Sequence, residues 1–266
     1  MAFFKNNGVN LYYELQGKGE PVLIVAGGGA DARYYSGLSA LLEKDFQVIL
    51  MDPRGGGRSE RGEEEYSFNL LASDIIALLD YLGIRMINLV GHSMGGMTAQ
   101  YFACKHPERI KKLVLWATAS SLSAFGRHCC KTAAVIKAEG SLKAFMHVMA
   151  IWNFSNEFLS DDTNLANLIA GAEKDPYPLS TEVFMEQMKI IDMFDCSAQL
   201  HGIKIPTLVI GCEKDIIFPV EGAKNLVSSI DGAEYKEIQR ATHSMHIENP
   251  ESISTVIKNY LLATAS

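Results

Sequence analysis

Several things are scarce in this sequence, and each shortage excludes a class of protein. No apolar run approaches the roughly 20 residues that a membrane-spanning helix needs, so a helical span is not expected. Basic residues are outnumbered, with 24 Lys and Arg against 31 Asp and Glu and a formal charge of -7. Nucleic acid and anionic membrane surfaces are therefore not expected partners. Cysteine is sparse: the five residues, at 104, 129, 130, 196 and 212, are odd in number and lack metal-ligand spacing. Cys129 and Cys130 are chain neighbours, poorly placed to bridge each other, so free thiols in a reducing cytoplasm and no bound metal are expected. The opening residues Met1 to Gly8 have neither the basic start nor the apolar stretch of a secretory leader, which again points to the cytoplasm. Internal repeats and low-complexity tracts are missing as well, and Glu63-Glu64-Glu65 reads as a solvated loop face.

The chain does have core-forming material. Its 266 residues are 48% hydrophobic, enough for one large core with an insertion. Val9 to Leu15 alternates between Gly8 and Gly17, as an antiparallel strand does. Short, continuously apolar runs follow at 21–25, 47–51, 86–90, 112–116 and 207–210. Runs of this kind suit strands covered on both faces of a parallel sheet. Leu70, Ile75, Leu78, Leu79 and Leu82 recur at helical spacing and stop at Gly83. Strands alternating with helices predict an α/β, doubly wound, mostly parallel sheet. From Ala119 to Asp195 strand-like runs disappear, and helical patterns rich in Met, Phe and Trp cover 142–152, 164–172 and 181–194. The expected organisation is a core of 1–118 and 196–266 interrupted by a helical cap, 119–195.

The segment Gly91-His92-Ser93-Met94-Gly95 lies between the apolar run 86–90 and the helical pattern that starts at Gly96. A serine on such a strand-to-helix turn projects its hydroxyl beyond the carboxyl end of the strand, where doubly wound sheets place their sites. A serine hydroxyl is a poor nucleophile without a base, usually a histidine oriented by a carboxylate. Of the seven histidines, His92 points away from the nucleophile's side and His106 sits at a helix end. His128 and His147 belong to the cap, and His201 precedes the returning strand. His243 and His246 remain, both in the loop after the strand-like 234–238, and geometry alone does not separate them. For the acid, Asp215 ends a turn after the 207–210 strand, with Glu213 as competitor and Asp192 and Asp195 more remote. The Met94 backbone N–H, at the start of the helix, suits an oxyanion donor. A second donor is expected from the loop 26–31.

These motifs together resemble the α/β-hydrolase fold family from end to end. Gly91 to Gly95 resembles its nucleophile elbow, and Asp52 to Ser59 its D-x-R-G-x-G-x-S turn. Gly211 to Asp215 with Pro219 resembles its acid loop, and His243 with Glu248 and Pro250 its H-x-x-x-x-E-x-P ending. The resemblance implies an eight-stranded sheet, the triad Ser93, Asp215 and His243, and an oxyanion hole from Gly28 and Met94. It also selects His243 over His246. The loop departs from the family, whose members commonly carry His-Gly and a bulky residue where this chain has Ala26-Gly27-Gly28. A roomier pocket beside the nucleophile is the expectation there.

The implied activity is that of the carboxylesterase and enol-lactonase branch: attack on an ester or lactone of a small, largely apolar molecule, with no cofactor or metal. Relatives that cleave carbon–carbon bonds or act as lyases with the same triad are the alternative, and a non-catalytic small-ligand receptor is the rival from another class. A serine at the elbow, rather than cysteine or aspartate, excludes dienelactone-type and haloalkane chemistry by the usual route. Flexible Met and aromatic side chains in the cap suggest an adaptable apolar pocket. Arg33 and Arg54 read as loop-stabilising ion pairs rather than substrate contacts. Besides the small-molecule substrate, the one partner considered is a second copy of the chain in a homodimer.

Overall fold

The structure, a computed structural model, describes residues 2–263; residues 1 and 264–266, the outer ends of the two expected core segments, lie outside the described residues. Eight strands form one sheet: β1 (Ala2–Asn6), β2 (Val9–Gln16), β3 (Glu20–Val25), β4 (Phe46–Met51), β5 (Ile87–His92), β6 (Ile110–Trp116), β7 (Thr207–Cys212) and β8 (Glu234–Ile238). Their order is β1-β2-β4-β3-β5-β6-β7-β8. β2 runs antiparallel to both of its neighbours, β1 and β4, and every other pairing is parallel. This is the mostly parallel, eight-stranded α/β sheet that was expected.

The core helices are α1 (Ser36–Leu42), α2 (Phe68–Tyr81) and α3 (Met94–Lys105), while α4 (Ala124–Glu139), α5 (Leu142–Asn153), α6 (Asn156–Leu159), α7 (Asp162–Glu173) and α8 (Thr181–Met193) follow β6. After β7 come α9 (Val220–Ser229), α10 (Met245–Glu248) and α11 (Pro250–Leu262). Side chains alternate across a strand, so the continuously apolar β3 serves two cores at once. Leu23 packs with Leu71 of α2 and Phe102 of α3, whereas Val22 and Ile24 pack with Leu38 of α1 and Ile253 of α11. Helices thus cover both faces, which is why these strands lack a polar side. Among the described residues no helix is long and apolar enough to cross a membrane, and all five cysteines are free.

The antiparallel strand expected from Val9 is β2, and it is not the first. β1 precedes it, joined by a two-residue turn in which Asn7 and Gly8 both have positive φ, 49° and 82°. Asn-Gly is the residue pair that such a hairpin turn prefers. The chain enters the α4–α8 segment and leaves it side by side: Ser121 bridges Asp195, and Cys196 N–H donates to the Ser120 carbonyl at 3.0 Å. Each of these five helices starts at a side-chain cap, from Ser123, Ser141, Ser155, Asp161 and Ser180 in turn. Capping of that kind satisfies amide donors that the first helical turn leaves unpaired.

Candidate active site

Ser93 joins β5 to α3 with φ 56° and ψ −121°, a region that costs a non-glycine residue about 1–3 kcal/mol. The surroundings enforce it. Its N–H donates to the Trp116 carbonyl of β6 at 3.1 Å, and its own carbonyl accepts from Gly96 N–H and Thr118 Oγ1, each at 2.9 Å. The flanking glycines allow the close approach. A Cβ on Gly91 would stand 2.5 Å from the Gly95 carbonyl oxygen, and one on Gly95 would collide with the Val25 carbonyl of β3. Ser93 therefore sits on a sharp turn at the carboxyl edge of the central strands.

Asp215 follows β7 and His243 follows β8. His243 Nδ1 and Asp215 Oδ2 are 2.7 Å apart, both residues buried. The other carboxylate oxygen of Asp215 accepts from the N–H groups of Ile217 and Phe218 at 2.9 Å each, which fixes the acid's orientation. The Phe218 ring stacks on the His243 imidazole at 5.6 Å and 16°. Nδ1 thus donates to the carboxylate and Nε2 is left as the basic nitrogen. His246, inseparable from His243 by sequence geometry, is placed differently. It stacks on Tyr35 at 4.9 Å and 8°, and neither ring nitrogen has a hydrogen-bond partner among the described residues. Burial, then the neighbouring His243, pushes its pKa down to about 3. The rival carboxylates are engaged elsewhere: Glu213 accepts from the Arg240 N–H, Asp192 lies beside Arg127 and Lys131, and Asp195 accepts from Ser197 N–H.

The loop after β3 presents three consecutive amides. Gly27 N–H donates to the Tyr35 hydroxyl at 2.9 Å, and Gly29 N–H donates to Gln187 Oε1 of α8 at 2.8 Å. The amide between them, on Gly28, has no partner among the described residues, and neither does that of Met94 at the start of α3. Unpaired N–H groups at a helix N-terminus attract negative charge. The expectation of extra room at Gly28 does not hold. A Cβ there would meet Ile191 Cδ1 at 3.1 Å and Met188 Cε at 3.2 Å, so α8 occupies the space that a bulky residue would take. Tyr35 and Gln187 were missed by sequence reasoning, and neither stands in a recognisable motif: Tyr35 acts on an amide 8 positions back, and Gln187 on one 158 positions away.

Ser93, His243 and Gly28 line one cavity of about 670 Å³, within the range of sites that enclose small molecules. Phe145, Met146, Met149 and Phe154 line it too, so apolar residues of the helical segment share the cavity with the serine. Others of that segment do different jobs. Phe194 packs on Phe68 at 4.6 Å, Met188 abuts Gly28, and Phe125, Met185 and Met193 are exposed. No group of three or more His, Cys, Asp or Glu among the described residues is arranged to hold a metal ion.

Arg54 is fully buried and forks onto Asp74 of α2 at 2.5 and 3.0 Å. Arg33 borders the cavity but is held by Asp31 and, from the segment after α7, Asp175, each with a 2.5 Å contact. Both arginines are committed to ion pairs, as the sequence reading expected. Arg33→Ala should therefore leave the ratio of kcat/KM for acidic and neutral esters unchanged. A selective loss on acidic esters in that paired assay would identify Arg33 as a substrate contact instead.

Known proteins share this architecture. The sequence model of the alpha/beta hydrolase fold family matches residues 20–136. The protein named "Putative carbamate hydrolase RutD" from Azorhizobium caulinodans is 24% identical over 263 residues, covering 98% of either chain. Among solved structures, the enol-lactonase from Burkholderia xenovorans LB400 superposes with a TM-score of 0.86 at 26% identity, covering 98% of this chain and 100% of its own. A thermophilic esterase from Thermogutta terrifontis superposes with a TM-score of 0.83 at 25% identity, covering 97% and 96%.

Proposed function

We propose, from the match to the α/β-hydrolase fold family model and the arrangement around Ser93, that the chain is a serine hydrolase of small, largely apolar esters or lactones. The observation that carries this reading is the strained Ser93, sharing one cavity with a histidine whose far nitrogen is tied to a buried carboxylate. In the proposed reaction, Ser93 Oγ attacks the carbonyl carbon and His243 Nε2 takes its proton. Asp215 holds the imidazole in the tautomer that makes Nε2 basic, and steadies the imidazolium that forms. The carbonyl oxygen becomes an oxyanion between the Gly28 and Met94 amides, whose dipoles are in place before charge develops.

His243 then returns its proton to the departing alkoxide, leaving Ser93 acylated. Water, deprotonated by His243, releases the acid and restores the serine. Residues 119–195 act as the cap, placing Phe145, Met146 and Met149 against the acyl group. Relatives described as an enol-lactonase and an esterase support the ester or lactone reading, and one named a putative carbamate hydrolase supports a hydrolase more generally.

The test is hydrolysis of aryl esters of graded acyl length by wild type and Ser93→Ala in parallel. Wild type should turn over medium apolar acyl groups, and Ser93→Ala should fall to the background rate. If neither protein turns over any ester, esterase activity is excluded, and dienone acids and ligand binding are tested instead.

A further inference from the structure

Behind the nucleophile lies a chain of hydrogen bonds that the proposed reaction does not use. Gly27 N–H donates to the Tyr35 hydroxyl at 2.9 Å, Tyr35 Oη lies 2.8 Å from His92 Nδ1, and His92 Nε2 lies 3.1 Å from the backbone carbonyl oxygen of His243. All of these groups are buried. Three separate segments are joined in this way: the loop carrying Gly28, the elbow, and the loop carrying His243.

The proton positions follow from the partners. A carbonyl oxygen only accepts, so His92 Nε2 carries a hydrogen and donates it. Burial, reinforced by His243 and His246, holds the His92 pKa well below its ordinary value, so the ring is neutral and Nδ1 is bare. Tyr35 must then donate its proton to Nδ1, and its oxygen is free to accept from Gly27. The reverse arrangement would set a bare Nε2 against a carbonyl oxygen and leave the Tyr35 proton without an acceptor. Only one direction therefore satisfies every member. Packing locks the rings in place: His92 stacks on Trp116 at 4.1 Å and 30°, and Tyr35 stacks on His246.

We infer that Tyr35 and His92 are positioning residues, which hold the Gly27–Gly28 backbone and the His243 backbone in register through this directed chain. The inference rests on the serine hydrolase reading, and its consequence is specific. The chain acts on the residue next to the Gly28 oxyanion donor and on the main chain of the base, without touching substrate. Loosening it should weaken binding of the tetrahedral state and spare ground-state binding.

The experiment compares Tyr35→Phe, His92→Leu and His92→Gln with wild type on a neutral aryl ester, and measures inhibition by an alkylboronic acid. That inhibitor forms a tetrahedral adduct on a nucleophilic serine and places an oxygen between the oxyanion donors. Tyr35→Phe and His92→Leu should lower kcat by about 10- to 100-fold, with KM within about 2-fold, and weaken the boronic acid by a similar factor. His92→Gln, whose amide can accept from Tyr35 and donate to the His243 carbonyl, should recover most of the loss. Unchanged kcat and boronic acid affinity in soluble Tyr35→Phe would overturn the inference. If Tyr35→Phe fails to fold, equal activity in His92→Leu and His92→Gln would do so.

The two levels fail separately. Ser93→Ala turning over like wild type removes the serine hydrolase reading itself. An inactive Ser93→Ala beside a fully active Tyr35→Phe removes only the positioning role.

Discussion

Asp215→Asn is expected to lower kcat by about 10⁴-fold while leaving the fold intact. The carboxylate accepts from Ile217 N–H, Phe218 N–H and His243 Nδ1. An asparagine can keep its oxygen toward the two backbone amides, so the loop after β7 stays in place. Its NH2 group then faces His243 Nδ1 and can only donate to it. The imidazole is forced into the tautomer whose hydrogen lies on Nε2, which cannot accept the Ser93 proton. Steady-state kinetics on an aryl ester, beside a thermal unfolding curve, checks both halves of this expectation. A loss below about 10-fold would mean that Asp215 only anchors the loop, because a merely structural carboxylate tolerates its own amide.

The second large effect is on stability in acid. His246 is buried without a partner for either ring nitrogen, and its pKa falls to about 3 from an ordinary 6.5. His92 shifts in the same direction, first because it is buried and then because His243 and His246 are close. The unfolded chain protonates both rings below about pH 6.5, while the folded chain leaves them neutral, so unfolding takes up protons. Stability is therefore fully present above pH 6.5 and falls as the pH drops toward 3. The slope is about 1.4 kcal/mol per pH unit for each histidine. Between pH 7 and pH 5, His246 alone accounts for a loss on the order of 2 kcal/mol. His246→Phe keeps a ring stacked on Tyr35 and removes two unsatisfied buried nitrogens, so it should be neutral to stabilising at pH 7. It should also reduce the acid slope, as read from urea midpoints at pH 7 and pH 5. An unchanged slope would show that His246 is protonated, or has found a partner, in the folded state.

How much of this was legible depends on how local the instructions were. The β5–Ser93–α3 turn is written in adjacent residues: an apolar strand, two glycines that only close backbones require, and a helix. Sheet order put the loops after β7 and β8 on the same edge, so Asp215 and the His243–His246 pair could be located. Choosing between those two histidines took the resemblance of His243, Glu248 and Pro250 to the family's ending, because spacing alone does not say which ring meets Asp215 and which meets Tyr35. α4 escaped notice because its buried face is made of Gly126, Cys129, Cys130 and Ala133, small residues that leave a faint apolar stripe. β1 is an edge strand that buries Phe4 alone, although the Asn7-Gly8 turn did signal it. The bulk that Met188 and Ile191 bring to Gly28 comes from the other end of the α4–α8 segment, so the glycine looked like open space. The Tyr35–His92 bond spans 57 residues and has no sequence pattern at all.

The central claim is that Ser93 becomes acylated, and mass analysis of the protein during turnover of an aryl ester tests it most directly. The account predicts an acyl adduct on the peptide containing Ser93, formed in a burst and lost again on hydrolysis, with no adduct and no turnover in Ser93→Ala. Steady turnover by Ser93→Ala, or an adduct on any other residue, would contradict it.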